Sequence, residues 1–316
     1  MLGVTSCLIS MQPRRNDYDI TNRIQTTDPH AVKAEVIRLF RHLYPDIAPD
    51  AMGRAFADVE SMYLGEHPGY RACDTAYHDV QHIMDVTLAM ARLMDGYERT
   101  RGPTPPLGAN LFQFGVIVAL FHDMGYLRTI DDKIAANGAY YTQCHVSRGA
   151  AFLFDYLASI GLPEFSEAGA ELIHFTGYEK RVAEILIEDP LLRMLGSLLG
   201  SADIMAQMAD RCYLEKCRDR LYPEFVAGGI TERRDAAGNK TVVFASGDDL
   251  INKTPGFFQS AVQRLESDLG GAYNYAAAHF GGFNPYIHAA TKNVRFAKQI
   301  SLDSQRSLRR TPPLTV

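Results

Sequence analysis

Apolar residues recur at helical spacing along most of the chain. Asp28-Pro29 reads as an N-cap followed by proline at the first helical position, and Val32, Val36, Leu39, Phe40 and Leu43 then form one stripe that ends before Pro45. A second helix, over 76–97, carries His78, His82, Asp85 and Leu88 on a single face. After a Gly/Pro-rich break at 101–108, the run 111–124 is apolar on all sides, as a fully buried helix is, and Gly125 stands at its end. Further helices are expected over 147–159, 164–176, 181–200 with a kink near Pro190, 202–225, 257–269 and 285–303. Between 227 and 249 the residues turn to Gly, Thr, Val and charge, and Ala236-Ala237-Gly238-Asn239 separates two short segments that could pair as a hairpin. The expectation is an all-α chain, one compact multi-helix domain over 28–305 with a small surface hairpin or loop insertion at about 227–249. A flexible lead over 1–27 and a disordered tail over 306–316 flank it.

Composition narrows the function classes. With 316 residues, 47% of them hydrophobic and 22% charged, the chain can bury a sizeable core. A net charge of -5, from 32 basic and 37 acidic residues, gives no reason to expect a nucleic-acid polymer or a membrane as partner. An anionic substrate would therefore need a local positive centre. The five cysteines, Cys7, Cys73, Cys144, Cys212 and Cys217, form no CxxC pair and suit a reducing compartment. Neither a basic segment nor an adequate apolar run precedes Cys7, and the longest apolar stretch, 111–121, falls short of the roughly 20 residues that span a bilayer. The expected location is the cytoplasm.

The buried helix ends in His122-Asp123, an imidazole and a carboxylate on an element that is otherwise almost wholly apolar. Burying both without partners costs several kcal/mol, so something must compensate them. Other polar residues stand out against apolar helices in the same way, giving the order His82, His122-Asp123, His145, His174, Asp203. Imidazole nitrogen and carboxylate oxygen gathered from separate helices suit a divalent transition metal. His30, His42, His67, His279 and His288 lie in no motif and read as structural.

The segment Tyr77-His78-Asp79-Val80-Gln81-His82-Ile83-Met84-Asp85-Val86, with Ala202-Asp203-Ile204 and Glu224-Phe225 downstream, resembles the HD-domain metal-dependent phosphohydrolases, and among them the cyclic-nucleotide phosphodiesterase branch. The resemblance covers roughly residues 70–270. It implies His82, His122, Asp123 and Asp203 as ligands of a first metal, with Asp123 bridging to a second ion completed by His145 and His174. One or two divalent ions (Mg, Mn, Zn, Fe or Ni) are the implied cofactors. His78 resembles the general acid, and metal-activated water attacks the phosphoryl group. Asp79, where the family usually has Asn, together with Asp85 and Glu171, is expected just outside the ligands, with Asp85 fixing a histidine tautomer. Thr254-Pro255-Gly256-Phe257-Phe258 resembles the stretch that clamps a purine, with Phe257 as the ring clamp. The sequence departs from the branch at Tyr126, where another His is usual, and at Thr254, where a Gln reads the base.

The leading expectation is a phosphohydrolase acting on a nucleotide-type phosphodiester or a phosphomonoester, with a small phosphate ester or nucleotide as partner and a homodimer allowed. Two alternatives use the same residues: a di-iron oxygenase with this ordered ligand set, and a non-catalytic module that a metal merely holds together.

Overall fold

The Asp28 carboxylate accepts from the His30 N–H at 2.9 Å and Pro29 takes the first position of α1 (Pro29–Leu43), whose Val32, Val36, Leu39 and Phe40 are buried. Next comes α2 (Asp50–Leu64), which the periodicity reading omits although Met52, Ala55, Phe56, Val59, Met62 and Tyr63 form its buried stripe. Its start is hidden because the N-cap is Pro49, which offers no side-chain acceptor. It stops at Gly65, in the left-handed conformation.

The structure, a computed structural model, describes residues 14–234, 238–302 and 307–314. At its centre lie α3 (Val80–Thr100) and α4 (Gly108–Phe121), both almost wholly buried. Around them pack α1, α2, α7 (Pro190–Ala209) and α11 (Tyr275–His279), while α5 (His145–Ser159) packs on α6 (Ser166–Leu172) and α12 (Pro285–Leu302) on α7 and α10 (Gly247–Gln263). Between α7 and α10 the chain makes α8 (Tyr213–Lys216), a π-helical turn over Cys217–Leu221, and α9 (Tyr222–Ala227). The all-α expectation stands: among the described residues the only strands are β1 (Glu232–Arg234) and β2 (Lys240–Val242), an exposed antiparallel hairpin with Arg233 opposite Thr241. Part of the turn expected at 236–239 lies outside the described residues. No described helix is long and apolar enough to cross a membrane.

Several boundaries differ from the sequence reading. Pro190 does not kink a helix; it opens α7, with Asp189 accepting from the Leu191 and Leu192 N–H groups, and 181–189 is mostly loop. The helix expected over 76–97 begins at Val80, because the Asp79 side chain caps it. Residues 14–27 do not fray: Asp19 is buried and pairs with Arg92 of α3 at 2.5 Å, while Arg92 also donates to the Tyr286 hydroxyl at 2.8 Å. Residues 1–13 of the expected lead lie outside the described residues. The described tail, 307–314, is also held, for the Arg310 N–H donates to Glu215 at 3.1 Å and Asn16 to the Thr311 carbonyl at 2.9 Å.

Candidate metal centre

Asp79 caps α3 by accepting from the His82 N–H at 2.9 Å, which puts His82 in the first turn and leaves His78 in the lead-in loop. Asp79, expected just outside the ligands, touches His82 through this cap, and its other oxygen takes Arg220 at 3.2 Å. His78 has a different carboxylate partner. Its Nδ1 lies 2.6 Å from Glu224 Oε2, and the second oxygen of Glu224 accepts from the Tyr77 N–H at 2.5 Å. Burial works against a charged His78, and the Glu224 carboxylate more than offsets it, raising the imidazole above its ordinary value.

At the end of α4 the chain passes His122 and Asp123 into a single 3-10 turn, Met124–Tyr126. This turn lies so close to the start of α5 that a Cβ on Gly125 would sit 1.8 Å from the His145 carbonyl oxygen. Only glycine allows that approach, and Arg148 clasps it by donating to the carbonyls of Gly125 and Leu127 at 2.9 and 3.2 Å. Two of the three imidazoles brought to Asp123, those of His122 and His145, are held alike. His122 Nδ1 donates to the carbonyl of Ala119 and His145 Nδ1 to that of Thr142, each at 2.8 Å and each three residues back. In the neutral ring this leaves Nε2 as a bare lone pair.

Asp123 is the hub. Its Oδ2 lies 3.2 Å from Nε2 of both His82 and His122, and its Oδ1 3.7 Å from His145 Nε2. The Nε2 atoms of His82 and His122 face one another at 3.3 Å. From α7, Asp203 brings Oδ1 to within 3.5 and 4.0 Å of the same two nitrogens. Burial resists protonation of His122, yet the adjacent Asp123 raises it to about 9. Asp123 answers in kind: burial pushes its carboxyl up, but the His122 charge holds it well below the usual range. His145 falls below its ordinary value, desolvated by burial more than Asp123 supports it.

These residues fit a metal ion. Asp123 Oδ2 is buried without a hydrogen-bond partner, an expensive condition for a carboxylate oxygen. Ligands bonded at about 2.0–2.2 Å to one ion stand about 3.0–3.4 Å apart along the edges of its coordination shell, close to the separations found among Asp123, His82 and His122. Their ligand atoms form one buried group.

Not every expected residue joins. His174 is buried, with Nδ1 lacking a partner, and no hydrogen bond or ion pair links it to Asp123 or His145. Burial lowers its imidazole, and Lys180 adds to that. Asp85 fixes no histidine tautomer. It lines a small cavity with His82, Asp210 and Lys216, and burial together with Asp210 lifts its carboxyl to about 7. Glu171 pairs with Lys180 at 3.1 Å on the surface, and Phe257 is exposed on α10. Conversely, sequence reasoning gave no role to Glu224, quoted only within a motif, and treated Tyr126 as a departure. The Tyr126 ring stacks on His78 at 4.2 Å and on His145 at 4.3 Å, between centroids. Its aromatic character next to a His-Asp pair is the signal that would have found it.

No family model matches the chain, and neither a curated protein nor a solved structure does.

Proposed function

We propose that this chain is a metal-dependent phosphohydrolase with an HD-type fold, cleaving a nucleotide-type phosphodiester or a phosphomonoester in the cytoplasm. The observation that carries this reading is the unpartnered Asp123 oxygen between two imidazole nitrogens, each 3.2 Å away, beside a separate carboxylate-held histidine. His82, His122, Asp123 and Asp203 would hold a first divalent ion, and His145 with the other Asp123 oxygen would face a second. An ion bound there supplies an acidified water and positive charge against the phosphoryl oxygens.

The chain's own residues do the rest. His78 donates Nδ1–H to Glu224 and keeps Nε2–H for the departing oxygen. Glu224 also accepts from the Tyr77 N–H, so the carboxylate is fixed in place and fixes the ring. Tyr126, stacked on both His78 and His145, sets the planes of proton donor and ligand with one aromatic ring. This proton donor favours hydrolysis over a metal that only joins helices, since a structural ion needs no acid beside it. Four described cysteines are free, in keeping with a reducing compartment.

The test is metal analysis combined with a hydrolysis screen over cyclic nucleotides, linear nucleotides and simple phosphodiesters. His122→Ala and Asp123→Ala should lose both metal and activity, whereas His78→Ala should keep the metal and lose turnover. Full activity in either ligand variant would overturn the proposal, and a His78→Ala enzyme equal to wild type would leave the ion a structural role.

A further inference from the structure

Four residues after His174 stands Tyr178, whose ring is 68% exposed although the turn beneath it is tied down on two sides. On one side, Gly177 is pressed against α5: a Cβ there would meet Val146 Cγ2 at 2.4 Å. Glu179 then accepts from the N–H groups of Val146 and Ser147 at 2.9 and 3.1 Å, capping the helix that begins with His145. On the other side, buried Arg264 donates to the carbonyls of Phe175 and Gly177 at 2.9 and 2.8 Å. Its guanidinium carbon lies 4.4 Å from the centre of the Tyr178 ring. The ring is therefore supported on one face by a cation and open on the other.

The anchored turn and Arg264 hold this ring in one place with its other face toward solvent. The turn runs from His174 to the cap of the His145 helix, and His145 brings Nε2 to 3.7 Å from Asp123. Phe257, the ring clamp implied by the sequence resemblance, is 38% exposed on α10 and stacks on no ring of the site.

We infer that Tyr178 is a stacking platform for the planar base of a nucleotide whose phosphate lies at the His82/His122/Asp123 centre. The inference rests on the hydrolase reading for the phosphate site and adds the part of the substrate that is recognised away from it. Stacking accepts any base by its π-face, so the platform selects for a nucleotide over an aliphatic phosphate without dictating which base.

The chain contains no tryptophan, so a Tyr178→Trp variant carries a single indole as its own reporter. With Mn²⁺ present, adenosine monophosphate should quench that fluorescence and glycerol 3-phosphate should not. By calorimetry, Tyr178→Ala should bind adenosine monophosphate about ten-fold more weakly than the native protein, and Tyr178→Phe about as well, while glycerol 3-phosphate separates none of them. Absence of adenosine monophosphate binding to the native protein, equal affinities for native and Tyr178→Ala, or no quench at saturation would each overturn the platform. A retained quench in a protein that holds no metal and hydrolyses nothing would sink the hydrolase reading and leave the platform standing.

Discussion

Two charged clusters hang on the same helix, α3, and are equally buried, yet they are built on opposite terms. Toward its C-terminal half, Asp19 and Arg92 meet at 2.5 Å. Both Asp19 oxygens take hydrogen bonds, from Thr21, Arg92 and the N–H groups of Arg23 and Ile24. At its N-terminal end, His82 and His122 turn nitrogen toward nitrogen at 3.3 Å, and Asp123 adds an oxygen with no donor. In the first cluster every carboxylate oxygen has a donor, and only Arg92 Nε is left without an acceptor. The second brings imidazole nitrogens and carboxylate oxygens to one point, where the positive charge is a proton on His122 that a cation could replace. Burial alone does not mark a functional site; what marks it is burial without complementarity.

The comparison breaks most sharply through Asp123. Asp123→Asn should lower hydrolysis about 10³-fold or more, because an amide gives up the ligand charge. In the metal-free protein the same variant loses the charge pairing with His122, a cost in urea unfolding that should be present near neutral pH and fade as pH rises past about 9. The Arg92 cluster should behave oppositely. Arg92→Met strands a buried Asp19 and should cost about 3–5 kcal/mol whether or not a chelator is present. Were chelation to erase the Arg92→Met cost, or the Asp123→Asn cost to stay unchanged above pH 9, the contrast between the clusters would fail.

Smaller effects sharpen it. Gly125→Ala forces apart the 3-10 turn and α5, and a shift of about 1 Å at Asp123 should lower turnover about 10²-fold with little change in far-UV dichroism. Glu224→Gln acts on pH. Since Glu224 raises the folded imidazole of His78 above the ordinary 6.5, its stabilisation is fully present below that value and is lost as pH rises through the raised one. The stability gap between native protein and Glu224→Gln should thus be widest near pH 6 and close at alkaline pH. The alkaline limb of the rate profile should move to lower pH in the variant, and an unmoved limb would remove His78 as the acid.

The centre was partly legible because polar residues on apolar helices advertise a cost. His122-Asp123 and Asp203 stood out for that reason, and the structure brings them together with His82 and His145. The partner of His78 was not legible: Glu224 lies 146 residues further on, and no local pattern encodes so distant a closure. Helical spacing misled for Asp85, which lies one turn from His82 and lines the same small cavity but is paired in charge with Asp210 and Lys216 rather than with a histidine. Proline misled at 190, since the same residue opens a helix or bends one, and the capping Asp189 decides which.

The repeated bond from Nδ1 to the carbonyl three residues back, at His122 and again at His145, has a kinetic meaning. Each ring is held in its rotamer before any ion arrives, so capture requires no search among side-chain conformers. What an entering cation must displace is the Nε2 proton that Asp123 holds on His122. Loading should therefore quicken as pH rises toward 9, where that proton leaves unaided.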